Sequence, residues 1–339
     1  MSNLSQFLGG GGIKSIQRGS TTFGTNTQSP GATSIRVPIN PVNLSRSVVT
    51  SSCMGNPAAY AAIIPGGGVI GLGINSDASV KLEDGITFVG CSGVFDGTPV
   101  ELTNLESGDL VLYMGARNGA NAQGAAVQDL SSSGWTALPA DGNNPDVGTG
   151  NFGSFGTSVF YKFATGGTES QSVPLNGEQG LMYAFRGVDP TTPFDVTPIP
   201  RNTSTTDISP PPITTVNKST IVTLGYSSLG IVGIAYGLPS FSPPDGYFMA
   251  ADTGTYNIDP AIPIMGVAFK YQTTVGLETP TNFKSLSEEA ASTKAILYTI
   301  ALRPAASTET SSALTITTGS ALVNQSPSGI VDWQVIEYE

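Results

Sequence analysis

The chain has 339 residues, 39% hydrophobic and 12% charged, with 42 Gly, 24 Pro, no His and a net charge of −11. That length exceeds one small core and fits two or three domains, while the composition excludes both a disordered chain and a helical one. Without histidine there is no Ser-His-Asp or Cys-His nucleophile, no imidazole acid–base chemistry and no His-ligated zinc, and two cysteines cannot complete a tetrahedral metal site.

From Met1 to Ser76 there is no Asp or Glu, but Lys14, Arg18, Arg36 and Arg46 are present. Since the whole chain carries −11, the remainder without these four cations carries −15. A basic foot under an acidic body orients a molecule against an acidic partner, so these four are the candidate docking residues. They are too sparse for a phosphate-tracking groove, and no nucleic-acid partner is expected. No secretory signal is read, because no uninterrupted apolar run follows Lys14. The most apolar stretch, residues 58–74, is broken by Pro65 and Gly66-Gly67-Gly68, so it reads as two strands and a turn, with no membrane insertion. Gly66 to Gly71 satisfies Gly-x-Gly-x-x-Gly but opens no helical pattern, so no cofactor is expected. Cys53 and Cys91 read as buried thiols of a protein made in a cytoplasm.

The middle of the chain repeats. The strand opening Gly108-Asp109-Leu110-Val111-Leu112-Tyr113 matches Ser219-Thr220-Ile221-Val222-Thr223-Leu224, and the turn exit Gly134-Trp135-Thr136 matches Gly246-Tyr247-Phe248. Ser158-Val159-Phe160-Tyr161-Lys162-Phe163 answers Gly266-Val267-Ala268-Phe269-Lys270-Tyr271, each followed by a Glu, Glu169 or Glu278. Leu181 to Arg186 is set against Ile296 to Ala301. Each block is a short apolar or alternating run between Gly, Pro, Ser or Asn clusters, which predicts strands, and the spacing leaves no room for crossover helices. An antiparallel sandwich or jelly-roll follows. Two separate sandwiches and two halves of one are both compatible with this pattern. The polar run from Arg201 to Asp207, before Pro210-Pro211-Pro212, is the expected seam.

Asp141-Gly142-Asn143-Asn144-Pro145-Asp146 is oxygen-rich but lacks the Glu and glycine placement of an EF-hand; it reads as an Asx-turn loop, with Ca²⁺ binding left open and no metal assigned. Trp135 and Tyr247 have two readings: core packing at strand ends, or stacking on a glycan. Gly225 to Gly230 misses the nucleophile elbow because Leu229 stands where glycine is required. No catalytic residue is assigned, and no enzyme is expected.

The opening run Gly9-Gly10-Gly11-Gly12-Ile13-Lys14-Ser15-Ile16-Gln17-Arg18-Gly19 resembles the start of a group of tailed-bacteriophage virion proteins, and the closing Val331-Asp332-Trp333-Gln334-Val335-Ile336-Glu337-Tyr338, after Leu314-Thr315-Ile316-Thr317-Thr318, resembles the end of its short members. Phe185-Arg186-Gly187-Val188-Asp189 and Ile300-Ala301-Leu302-Arg303-Pro304 are similar to strands of phage tail-fibre-like surface proteins. The resemblance implies a small β docking domain from residues 1–85 and 305–339, interrupted by two β-sandwich units at 86–200 and 201–304. It implies a virion component made in the host bacterial cytoplasm: a tail fibre, tail-tip or baseplate-associated protein that attaches to a host surface glycan. The alternatives are a capsid decoration or head-fibre protein and a carbohydrate-cleaving tailspike. The partners implied are other virion proteins and further copies of the chain, with a trimer favoured.

Overall fold

A computed structural model describes residues 13–23, 33–43, 46–55, 79–82, 85–95, 99–118, 130–138, 146–150, 153–173, 178–203, 208–217, 220–229, 241–252, 264–272, 274–285, 294–305, 310–318 and 329–338. These residues are almost wholly antiparallel strand, with no α-helix among them, so the chain is all-β and sandwich-like. The glycine run, the stretch 58–74 and the loop 141–145 lie outside the described residues.

The N-terminal part contributes β1 (Ile13–Phe23), β2 (Thr33–Asn43), β3 (Ser47–Gly55) and β4 (Ser79–Leu82). Next come β5 (Thr87–Phe95), β6 (Pro99–Leu105), β7 (Leu110–Asn118), β8 (Thr136–Ala137), β9 (Asp146–Gly150), β10 (Gly153–Phe163), β11 (Gly167–Ser172) and β12 (Glu178–Arg186). The second repeat supplies β13 (Ile199–Thr203), β14 (Ile213–Thr215), β15 (Thr220–Leu229), β16 (Phe241–Ser242), β17 (Phe248–Asp252), β18 (Ile264–Gln272), β19 (Gly276–Glu278), β20 (Lys284–Ser285) and β21 (Lys294–Leu302), and the chain closes with β22 (Thr310–Thr318) and β23 (Gly329–Tyr338).

The two ends of the chain fold together. β23 lies between β1 and β3, and β22 between β2 and β4. The inner faces of these two sheets share a small core of Val42, Leu314 and Val335, with Val37, Ile39, Val49 and Trp333 packed around it. This foot is built from segments about three hundred residues apart in sequence, with Ile16 opposite Ile336 and Arg18 opposite Gln334.

Between β4 and β22 the repeats form two sheets of one design. The first runs β5-β12-β7-β10-β8, with β9 also pairing β10, and the second runs β13-β21-β15-β18-β17. A two-stranded ribbon accompanies each, β6 with β11 and β14 with β19. The two sheets face one another over a common core. Leu110, Leu112, Tyr183 and Phe185 from one meet Val267, Phe269, Tyr298 and Ile300 from the other. The Tyr298 hydroxyl, its pKa pushed up to about 12 by burial, donates to the Thr157 carbonyl across that interface.

Central strands are therefore apolar on both faces. In β12, Leu181, Tyr183 and Phe185 enter the shared core, while Met182 and Ala184 pack outward beneath Val100, Leu102 and Leu105 of the β6–β11 ribbon. The ribbon strand β6 alternates because its other face is wet. Phe269 is the hub, stacked on Phe88 at 4.7 Å between centroids and edge-on to Phe185 at 5.9 Å. Phe269→Ala should cost about 3–5 kcal/mol. Because its partners belong to both repeats, chemical denaturation should show probes in both sheets shifting together; a shift confined to the second repeat would contradict a common core.

The registers correct one alignment of the repeats. Val111 pairs Lys162 and Ala184, and Val222 pairs Lys270 and Ala301. Arg186 is therefore the counterpart of Arg303, not of Ala301. The seam also moves, since Arg201 to Thr203 pair with β21 as the end of β13 instead of forming a linker.

Candidate docking surface

Past the bulge between Ile13 and Ser15, Ile16 and Arg18 of β1 face away from the foot core, as do Val48 and Thr50 of β3 and Ile330, Gln334 and Ile336 of β23. Across the sheet they form one apolar row, Ile16 opposite Ile336 and Ile336 opposite Val48, with Ile16 and Val48 each 45% exposed. Beside it runs a polar row of Arg18, Gln334 and Thr50. Ile13 and Ile330 extend the apolar character of the same face. A three-stranded sheet buries its inner face and normally leaves the outer one polar, so this row is the most conspicuous surface feature of the foot.

The expected docking cations divide. Lys14 is not a free charge: its Nζ lies 2.8 Å from Glu337 Oε1, a carboxylate buried at 4% exposure. Glu337 also accepts from the Asn43 backbone N–H at 3.0 Å and from Ser15 Oγ at 3.2 Å. Lys14 thus holds β1 to β23 and, through Asn43, to the end of β2; its role is structural. Arg18 is exposed and makes no ion pair among the described residues, and Arg46 is exposed just before β3. Arg36 lies on β2, its side chain outside what is described.

The hydrogen bonds from Lys14 and Asn43 hold the Glu337 carboxyl below the usual carboxylate range. A depressed carboxylate contributes stability above its unfolded pKa and loses it as pH falls through the folded pKa. The foot should therefore loosen below about pH 4.5. Glu337→Gln should flatten that pH dependence, read as proteolytic cutting of the foot against pH; an unchanged profile would contradict the assignment.

The candidate glycan-stacking residues are covered. Trp135 is only 4% exposed, and the Lys162 ammonium sits 4.6 Å above its ring while bonding Glu169 at 2.6 Å. Tyr247 is buried in the matching place, under Lys270, which bonds Glu278 at 2.8 Å, and its hydroxyl donates to Glu278. Burial and that carboxylate push the Tyr247 pKa up. These matched clusters are struts that pin each ribbon to its sheet, entered through Gly134 and Gly246, whose φ of +79° and +83° a larger residue resists. Of the two readings of Trp135 and Tyr247, core packing is the one their burial supports. The Cys91 thiol donates to the Ala250 carbonyl, tying β5 to β17. No group of three or more metal-ligating side chains occurs among the described residues.

No family model matches the chain, and no curated protein matches it. Among solved structures, a Gt-strain infectious bursal disease virus structure matches at 10% identity and TM-score 0.13, over 97% of this chain and 82% of the other. A mavirus penton protein matches at 10% identity and TM-score 0.08, over 91% and 99%. At these scores neither likeness carries an argument about fold or family.

Sequence reasoning missed Ile16, Val48 and Ile336 as a surface. Their apolar character was visible, but only the register places them side by side.

Proposed function

We propose that the protein is a non-enzymatic structural component of a tailed-phage virion, fixed to the particle through its foot and projecting the duplicated body outward. The observation that carries this is the outer face of the β1–β23–β3 sheet. Ile16 and Ile336 of its apolar row lie on β1 and β23, the two strands of this sheet whose sequences resemble phage virion proteins, and Val48 of β3 completes the row. An exposed apolar row next to a cation that has no ion pair among the described residues suits a protein interface. The proposed site is the tail, as a fibre, tail-tip or baseplate-associated protein; a head position would show as label on the capsid. The body's ribbons suit host contact through loops, as Trp135 and Tyr247 offer no sugar platform. The test is particle incorporation: foot-face variants should leave the body folded yet fail to assemble.

A further inference from the structure

Beside the apolar row, a groove opens along the outer edge of β1. In β2 the pairing passes from Pro38 opposite Ala313 to Val42 opposite Ser311, so residues 39–41 bulge out of the ladder. The Gln17 side chain clamps that bulge as a neighbouring strand would. Its amide donates to the Asn40 carbonyl at 2.9 Å and accepts from the Asn40 N–H at 2.7 Å. Ile16, Gln17 and Arg18 form one wall of the groove, Pro38, Ile39 and Asn40 the other, and Trp333 lines it between them. The Trp333 ring is fixed over Gly19, where a Cβ would come within 2.4 Å of it, and its indole N–H donates to Thr21 Oγ1.

We infer that this groove receives an extended, carboxylate-bearing segment of the virion partner, an inference that rests on the docking role proposed above. Three features select that occupant. Among the described residues β1 is an edge strand, paired with β23 alone, so an added strand is geometrically admissible. Ile39 and Trp333 suit the residues of such a strand that face the foot core, and Ile16 suits one that faces away from it. Among the described residues that line the groove Arg18 is the one charged side chain, and it has no acid partner among the described residues. An exposed guanidinium favours planar, bidentate recognition of a carboxylate.

The two tryptophans of the full chain provide the readout, since Trp333 lines the groove and Trp135 is buried in the body. Indole N–H resonances of the intact protein are followed while adding a peptide of alternating valine and aspartate, its valine–lysine counterpart, or a single-stranded oligonucleotide. The expected result is a saturable shift of Trp333 alone with the aspartate peptide, weakened at least about tenfold by Arg18→Glu, with the lysine peptide then binding that variant instead. No Trp333 shift at millimolar peptide, an equal response to the lysine peptide on the unmodified protein, or tighter binding of the oligonucleotide would each overturn it. If Trp333 stays silent while foot-face variants still lose incorporation, the groove assignment falls and the docking role stands. If neither responds, both fall.

Discussion

Replacing Gly187 with alanine is expected to cost about 3 kcal/mol or more, lowering the melting temperature by roughly 5–10 °C. Gly187 has φ +79°, and a Cβ there would lie 2.2 Å from the Gly85 carbonyl oxygen. Its own carbonyl accepts from the Ala305 N–H at 2.8 Å. The chain leaving the foot at Gly85 and returning at Ala305 thus converges on one residue of the body. Neither neighbour can yield, because both contacts are backbone. The adjoining bridges hold the same point, with Val188 opposite Pro304 and Phe194 opposite Leu302. The variant should loosen the foot from the body, seen as faster proteolysis between residues 82 and 85 and between 305 and 310. A melt and cleavage pattern like the unmodified protein would contradict this role for the junction.

The geometry also explains how the insertion is tolerated. A body whose ends meet at one glycine adds little closure entropy to the foot, so the terminal strands still find each other. Arg186 next to that junction is anchored bidentately to Asp109, at 2.9 Å for each bond, and Asp109 also caps the Glu106 N–H. Arg303 holds the equivalent place with different partners, the Thr192 hydroxyl and the Asp195 carbonyl. The duplicated units keep their arginines while the partners differ in kind, a carboxylate in the first and a hydroxyl with a backbone carbonyl in the second.

Much of the fold is legible in the sequence because the central strands are buried on both sides and therefore read as dense apolar blocks. The turn glycines, Gly134 and Gly246, mark matching exits for a backbone reason that sequence shows directly. The fourth block slips because a strand has period two: moving Leu181 from Tyr298 to Ile296 keeps every side chain on its face. Such a shift costs nothing in pattern and is settled only by the neighbouring strands.

The docking surface is less legible. Lys14 reads as one of four free cations until β23 brings Glu337 to it, a pairing across 323 positions. Trp135 reads as either a packed or a sugar-stacking ring until the Lys162 ammonium is placed over it. In both cases the deciding partner is distant in sequence. The apolar row across Ile16, Ile336 and Val48 has the same origin, since each residue alone is an ordinary strand hydrophobe.

The docking account is tested most directly by counting copies of the protein per purified particle. Ile16 and Val48 are exposed, so Ile16→Asp with Val48→Asp should cost the isolated protein little, about 0.5 kcal/mol at each site. If the row is buried against a partner, each aliphatic chain contributes roughly 1.5–3 kcal/mol to docking, and the introduced carboxylates add a desolvation cost. One tenfold change in affinity corresponds to about 1.4 kcal/mol, so the loss should be at least about a hundredfold in affinity. Quantitative mass spectrometry of virions should then find at least about tenfold fewer copies of the double variant, with the melting of its body unchanged. Equal copy numbers for variant and unmodified protein would contradict docking through this face.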